Sequence, residues 1–221
     1  MGKIVLFDVD SIFYTSCYDV EDFEGACHKF DEQIQSIVNE IEEHNEIDHV
    51  YFLGLCRHNF RYKIDPNYKG NRKSEKPDYL DELQQYMKKE YSILSQQGIE
   101  TDDLVVKLQK EYGHENTIIC SIDKDYLQCE GTIYNYYRKE YHVIDEKTAR
   151  FNFWSQMITG DSGDNVNYLK GYGAAWVRKN MHKDDSLYTQ MRIVYSLFKT
   201  IYKSKARERF IQQYWLLKLN A

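Results

Sequence analysis

Apolar and polar residues follow one another along this chain in blocks of changing period. Residues 3–8, KIVLFD, are a continuous apolar run that stops at an aspartate, the pattern of a buried strand in a parallel sheet. Between 28 and 44, Phe30, Ile34, Ile37, Val38 and Ile41 recur at helical spacing, with charge on the other face. HVYFLGL at 49–55 is a second buried strand. Leu80, Leu83, Met87, Tyr91 and Leu94 share one stripe and predict a helix over 78–96, stopped by Gly98. Leu104, Leu108 and Tyr112 predict another over 101–112. NTIICSID at 116–123 is a third strand, again ending in an aspartate, and GTIYNYY and EYHVI are shorter strands at a sheet edge. Asp145 is placed to N-cap a helix reaching Met157. After MITGDSGDNV comes a glycine-punctuated turn, LKGYGAAW, and then helical segments to the end.

Strands alternating with helices over the first 145 residues predict an α/β fold with a mainly parallel central sheet, followed by a helical tail. In such sheets the site lies beyond the carboxyl ends of the strands. By this reading Asp8 and Asp123 both sit there.

Four acidic stretches fall at strand ends or helix starts: Asp8 and Asp10 in FDVD, Glu100, Asp102 and Asp103 in ETDD, Asp123 and Asp125 in SIDKD, and Asp161 and Asp164 in GDSGDN. Each alone has an ordinary explanation. Acids suit the first turn of a helix, and aspartates suit turns. Asp8 is harder to explain so, because an aspartate closing an apolar strand needs a partner once desolvated. Gathered at one sheet edge, the four stretches would repel one another unless cations join them. Oxygen-only ligands suit Mg²⁺ or Mn²⁺, and two such ions could activate water and stabilise the leaving oxygen of a phosphodiester.

Charge bears on the partner. The net charge of −6 argues against a polyanion until its distribution is considered. Residues 57–77, RHNFRYKIDPNYKGNRKSEKP, carry seven Arg and Lys against two acids, Asp65 and Glu75. Lys69 and Arg72 in YKGNR lie three apart and could steer a phosphate toward the ions, with Tyr62 and Tyr68 stacking on bases. No apolar stretch is long enough to span a membrane, the start has no signal-peptide layout, and the five cysteines show no ligand spacing. A cytoplasmic protein is expected.

The order YKGNR, ETDD, SIDKDYLQ, GDSGDN and then a glycine-rich turn resembles the flap endonuclease / 5′–3′ exonuclease family, most closely its phage-encoded branch, over residues 3 to about 180. The resemblance implies a PIN-like α/β catalytic domain over 1–150. It further implies a helical region over 151–221 with a helix–three-turn–helix module that holds duplex DNA. The activity implied is two-metal hydrolysis of DNA near 5′ ends, flaps and nicks, with RNA–DNA hybrids as a further substrate. By motif, Asp8, Glu100, Asp102, Asp103, Asp123, Asp125, Asp161 and Asp164 are metal ligands. Lys69 and Arg72, with Asp8, Asp103 and Asp123, make the catalytic set. Arg61, Tyr68, Lys69, Arg72, Lys170, Gly171 and Gly173 contact DNA. A K⁺ ion at the glycine turn, a monomeric state and a host-cell cytoplasmic location complete what the resemblance implies.

Two departures stand out. The family ends its second strand with an aspartate near the ions, and here that place reads Leu55. Asp10 is the nearest residue to compensate. Only 27 residues lie between Arg72 and Glu100, so 57–77 is expected to be a short or mobile loop and not a threading arch. Three other readings compete. FDVDS suits a haloacid-dehalogenase-like phosphatase, although it leaves YKGNR and ETDD without a role. Leu55 suits a DNA-binding protein with impaired catalysis. A PIN-type ribonuclease would have no need of the GDSGDN module.

Overall fold

The computed structural model describes residues 2–72 and 75–219. Lys73 and Ser74, within the basic window, lie outside the described residues. Chain order runs β1 (Lys3–Asp8), α1 (Asp10–Ser16), α2 (Phe23–Glu42), β2 (Ile47–Leu53), α3 (Arg61–Ile64), α4 (Leu80–Glu90), α5 (Thr101–Tyr112) and β3 (Thr117–Cys120). It continues through β4 (Gly131–Asn135), β5 (Glu140–Ile144), α6 (Glu146–Thr159), α7 (Ala174–Asn180), α8 (Leu187–Tyr202) and α9 (Ala206–Leu217). The sheet order is β2-β1-β3-β4-β5. All neighbours are parallel except β4 and β5, which form an antiparallel hairpin at the edge.

The pleat of β1 sorts its residues between two cores. Val5 and Phe7 pack with α1, α2 and α4 on one face. Leu6 packs on the other with Val105 of α5 and Ile119 of β3. Asp8 shares the face of Leu6, which puts its carboxylate toward α5. A third core belongs to the helical tail, where Phe153, Trp154, Met157, Val194 and Phe198 pack together, and Tyr68 of the basic window joins them.

Three elements depart from the expected bounds, each for a local reason. The helix expected over 78–96 stops at Glu90. Ser92 takes a left-handed backbone (φ 49°), and the chain then runs along the edge of β2, with the Leu94 amide on the Phe52 carbonyl at 2.9 Å and the Gly54 amide on the Leu94 carbonyl at 3.0 Å. Sheet pairing takes over a residue that the stripe had assigned to a helix. The second strand ends at Leu53 because Leu55 is left-handed (φ 60°). The third ends at Cys120, so Asp123 does not close a strand. It caps a 3-10 turn over Lys124–Gln128 and accepts the Asp125 amide at 2.9 Å.

Residues 57–72 are not a mobile loop. Arg61 and Tyr68 are buried at 1% and 3% exposure, α3 begins at Arg61, and the Lys69 amide bonds the Asp164 carbonyl at 2.9 Å. Among the described residues of this window α3, four residues long, is the only helix. No described helix is long and apolar enough to cross a membrane.

Candidate active site

The carboxylates meet at the C-terminal edge of the sheet. At the end of β1, Asp8 accepts the Tyr126 hydroxyl at 2.8 Å and the Asp10 amide at 3.2 Å. Burial, and then the charge of Asp10, push its carboxyl up to about 7. Asp10 opens α1 and reaches across to accept the Leu55 amide at 2.8 Å and the Thr101 hydroxyl at 2.6 Å. Burial raises it too, although both hydrogen bonds oppose that.

At the start of α5, Glu100 and Asp103 form a capping box. Asp102 is pushed well above the usual range by burial and then by the charges of Glu100 and Asp103. Asp103 has a different place from the one expected. It is fully buried, and both its oxygens face the Arg61 guanidinium, at 2.6 and 3.0 Å. Arg61 also donates to the Leu216 carbonyl at 3.1 Å and the Lys218 carbonyl at 3.0 Å. Burial alone would lower its basicity, but the Asp103 contact outweighs burial and raises it. Arg61 is therefore no DNA contact: it is a buried tie between α5, the basic window and the end of α9. Of the two carboxylates it pairs with, Glu100 at 3.1 Å and Asp103 at 2.6 Å, it holds Asp103 through both oxygens, which takes Asp103 out of the set expected to face ions and substrate.

Tyr68 is likewise no stacking platform. Its hydroxyl lies 2.9 Å from Glu100 and 2.5 Å from Asp164, and its one proton serves only one of them at a time. Burial, and then these two charges, push the phenol far up. Tyr62, half exposed, stands edge-on beside it. Lys69 pairs with Glu100 and lies 3.8 Å from Asp164, while Arg72, 58% exposed, donates to Asp164 at 2.8 Å. YKGNR thus lies directly across ETDD and GDSGDN.

The GDSGDN corner is set by Gly160, which ends α6 with φ 67°. A Cβ there would come within 2.5 Å of the Val166 carbonyl. Asp161 and Val166 then pair in both directions, at 2.9 and 2.7 Å, and the corner closes. Asp161 accepts the Gly163 amide at 2.8 Å and the Asp164 amide at 3.3 Å. Lys124 pairs with Asp161, and with Asp125 at 3.1 Å. Gln156 reaches the same two carboxylates, at 2.7 Å from Asp125 and 3.3 Å from Asp161. Burial raises Asp161, but the Lys124 contact more than offsets it and leaves that carboxyl low. Burial and then the charge of Asp123 lift Asp125 to about 6, against the pull of Lys124. Asp123 itself is exposed.

Lys124, Gln156, Thr101 and Tyr126 were not singled out from the sequence. Lys124 stands inside SIDKD itself, and Gln156 lies on the last turn of α6 just before GDSGDN, so proximity to the motifs was their one signal. Lys170, Gly171 and Gly173 are exposed on the turn between α6 and α7, and no atom lies within 4 Å of where a Cβ would be on either glycine.

Among the described residues, no three of Asp, Glu, His and Cys stand close enough as placed to enclose an ion. Four cationic side chains, Arg61, Lys69, Arg72 and Lys124, stand among the carboxylates instead. The donors still fit a hard divalent cation in kind. They are all oxygen; Asp8 is buried, Asp10 and Asp102 are partly buried, and among the described residues none of the three has an ion pair within 4 Å. A cleft of about 550 Å³ beside α1 and α2 contains none of these groups. A second, about 370 Å³, opens at Lys124, Asp125 and Gln156 and runs between α6 and α7 to Arg178. The chemistry of the side chains locates the site better than cleft size does.

Comparison with known proteins agrees with this geometry. Residues 3–154 match the family model for the 5′-3′ exonuclease, N-terminal resolvase-like domain. The bacteriophage T5 flap endonuclease, in a pseudo-enzyme–product complex with DNA and metal ions, superposes with TM-score 0.68 at 16% identity, over 98% of this chain and 89% of its own. The T5 5′-exonuclease with bound zinc gives TM-score 0.61 at 14% identity, over 98% and 99%. At these identities the likeness is one of fold.

Proposed function

Because this chain belongs to the 5′-3′ exonuclease family through residues 3–154, we propose that it is a divalent-metal-dependent 5′-nuclease. Its reaction is hydrolysis of DNA phosphodiesters near 5′ ends and branch junctions. The observation that carries this reading is convergence: four acidic stretches far apart in the chain meet at one sheet edge, and YKGNR lies across two of them, ETDD and GDSGDN. Asp8, Glu100, Asp102, Asp125, Asp161 and Asp164 are the residues that would hold Mg²⁺ or Mn²⁺, with Asp123 at the rim. Bound there, such ions supply Lewis acidity toward a phosphoryl oxygen and a more acidic water.

The chain's own side chains perform the rest. Arg72, exposed and only loosely committed to Asp164, is free to turn its guanidinium to the phosphate on either side of the scissile bond. Lys69 sits deeper and holds Glu100 in place until substrate competes for its ammonium. Tyr68 keeps Glu100 and Asp164 at a fixed separation. On the other side of the site, the turn from Gly160 to Gly173 joins α6 to α7, and we read it as the three-turn element that grips duplex DNA. Lys170 neutralises a phosphate there, and the open space over Gly171 and Gly173 lets the backbone approach the strand. A K⁺ ion at this turn and a monomeric protein complete the reading.

The test uses a 5′-flap duplex labelled at each end, incubated with Mg²⁺, Mn²⁺ or chelator, with Asp161→Asn as control. Cleavage near the junction is expected, and it should vanish in chelator and in the variant. Binding of the flap without cleavage in either metal would replace the nuclease with a branched-DNA-binding protein.

A further inference from the structure

The family reading leaves a gap at the end of β2, where a leucine stands in place of an acid. We propose that Asp10, from the first turn of α1, supplies the missing carboxylate to the ion held by Asp8. The inference rests on the nuclease reading above and adds a ligand to it.

Four observations on different residues support it. First, the Asp10 carboxylate leaves its own helix and docks at the end of β2, on the Leu55 amide at 2.8 Å. It therefore occupies the ground over which a side chain from that strand end would project. Second, Gly54 makes room for it: a Cβ there would lie 2.9 Å from the nearer Asp10 oxygen and 3.1 Å from Val9. Third, Leu55 has left the site. With its backbone left-handed, its side chain packs against the core of α1, α2 and α4 while its amide turns toward Asp10. Fourth, the neighbours are those of the ion site, since the Asp10 amide donates to Asp8 at 3.2 Å and Thr101 follows Glu100 directly. Each Asp10 oxygen accepts one hydrogen bond from a neutral donor, and among the described residues no cation pairs with it within 4 Å. Each keeps a further lone pair for an ion.

The competing role is that of a strap joining β2 to α5. Asparagine separates the two. In Asp10→Asn the side-chain oxygen still accepts the Leu55 amide and the new amide group donates to the Thr101 hydroxyl, so the strap survives while the charge is lost. Thr101→Val does the reverse. The measurement is Mn²⁺ binding to the full chain without DNA, by electron paramagnetic resonance of the free ion, with thermal melting of each variant alongside. Asp10→Asn is expected to weaken the tighter Mn²⁺ site at least about tenfold, the scale on which even supporting residues act at metal sites. Thr101→Val should bind Mn²⁺ nearly as the parent does. If Asp10→Asn binds like the parent while Asp8→Asn does not, Asp10 is a strap and the inference falls, leaving the nuclease reading intact. The same holds if Thr101→Val reproduces the loss. If Asp8→Asn and Asp10→Asn both bind like the parent, the ion site itself is wrong and both readings fall together.

Discussion

Two halves of one acidic cluster handle the same repulsion differently. Around Asp8, Asp10 and Asp102 the partners are neutral: a phenol, a hydroxyl and backbone amides. These acids respond by holding their protons, and Asp8 reaches about 7. Around Asp161 and Asp164 the partners are Lys124, Lys69 and Arg72, and Asp161 is held low. Asp125, between Asp123 and Lys124, falls between the two at about 6. Without a cation the first half takes on negative charge only against burial and mutual repulsion, and the second already holds tethered cations. Metal binding should therefore release protons from the first half and displace ammonium from the second.

The largest effect tests whether the cationic partners are structural. Arg61→Met takes the guanidinium away from the buried Asp103 carboxylate, and should cost about 3–5 kcal/mol in urea unfolding. The double replacement Arg61→Met with Asp103→Leu removes both charges and should recover most of that loss. If the single replacement costs under about 1 kcal/mol, the guanidinium is not what holds the basic window against α5.

The next concerns the proton-holding half. Asp8, Asp10 and Asp102 bind protons more tightly in the fold than in the unfolded chain, where an aspartate titrates near 3.8. Above that value the native state carries the extra protons, for Asp8 up to about 7, so stability falls as pH rises across this window. The slope is about 1.4 kcal/mol per pH unit for each proton in excess. Asp161 works in the opposite sense but only below the usual carboxylate range, where its protonation removes stability. The metal-free protein should melt lower at about pH 8 than at about pH 5, and Mg²⁺ should raise the melting temperature more at the higher pH. A metal-free melting temperature that rises over this interval would remove the first half of the comparison.

A smaller effect is expected at the seam between the halves. Tyr68→Phe deletes the hydroxyl shared by Glu100 and Asp164, and should cost about 1–2 kcal/mol. Lys69 and Arg72 still neutralise both acids. Full stability in this variant would mean that the phenol only fills space in the helical core.

How far the sequence foretold all this differs between the fold and the site. Most strands and helices follow from apolar period, and α5 matches its expected bounds at both ends. The misplaced boundaries arose where a tertiary contact outweighs local pattern: Leu94 pairs with β2 instead of extending a helix, and Leu55 turns left-handed around the Asp10 contact. The acidic stretches were legible because carboxylates at strand ends need a reason. Their partners were harder to read. A basic, aromatic, unpatterned segment looks like a solvated loop, and periodicity gives no sign that Arg61 and Tyr68 are buried, because Arg61 is held by polar contacts and Tyr68 packs in the helical core, in both cases through residues distant in the chain. Lys124 was overlooked for the opposite reason: between two aspartates in a turn, one lysine looks like ordinary surface charge.

That lysine gives the finest test of the comparison. Its ammonium pairs with Asp125 and Asp161, yet its side chain is 65% exposed, so little holds it there apart from charge. Burial lowers its basicity, but the Asp125 and Asp161 contacts more than make up for that and raise it. An exposed pair of this kind is worth up to about 1 kcal/mol, and a divalent ion taking its place must give that up. Lys124→Ala should therefore tighten Mn²⁺ binding at the second half by up to about fivefold, the same energy expressed as an equilibrium. Lys124→Arg keeps a tethered charge and should show no gain. The first half, which meets no tethered cation, should bind as before, so a titration resolving two classes of Mn²⁺ should move only one of them. Were Lys124→Ala to weaken the second class, the ammonium would be a helper that lowers the repulsion between Asp125 and Asp161 and not a competitor for their ion. The two halves would then differ only in how much cation each brings to the same task.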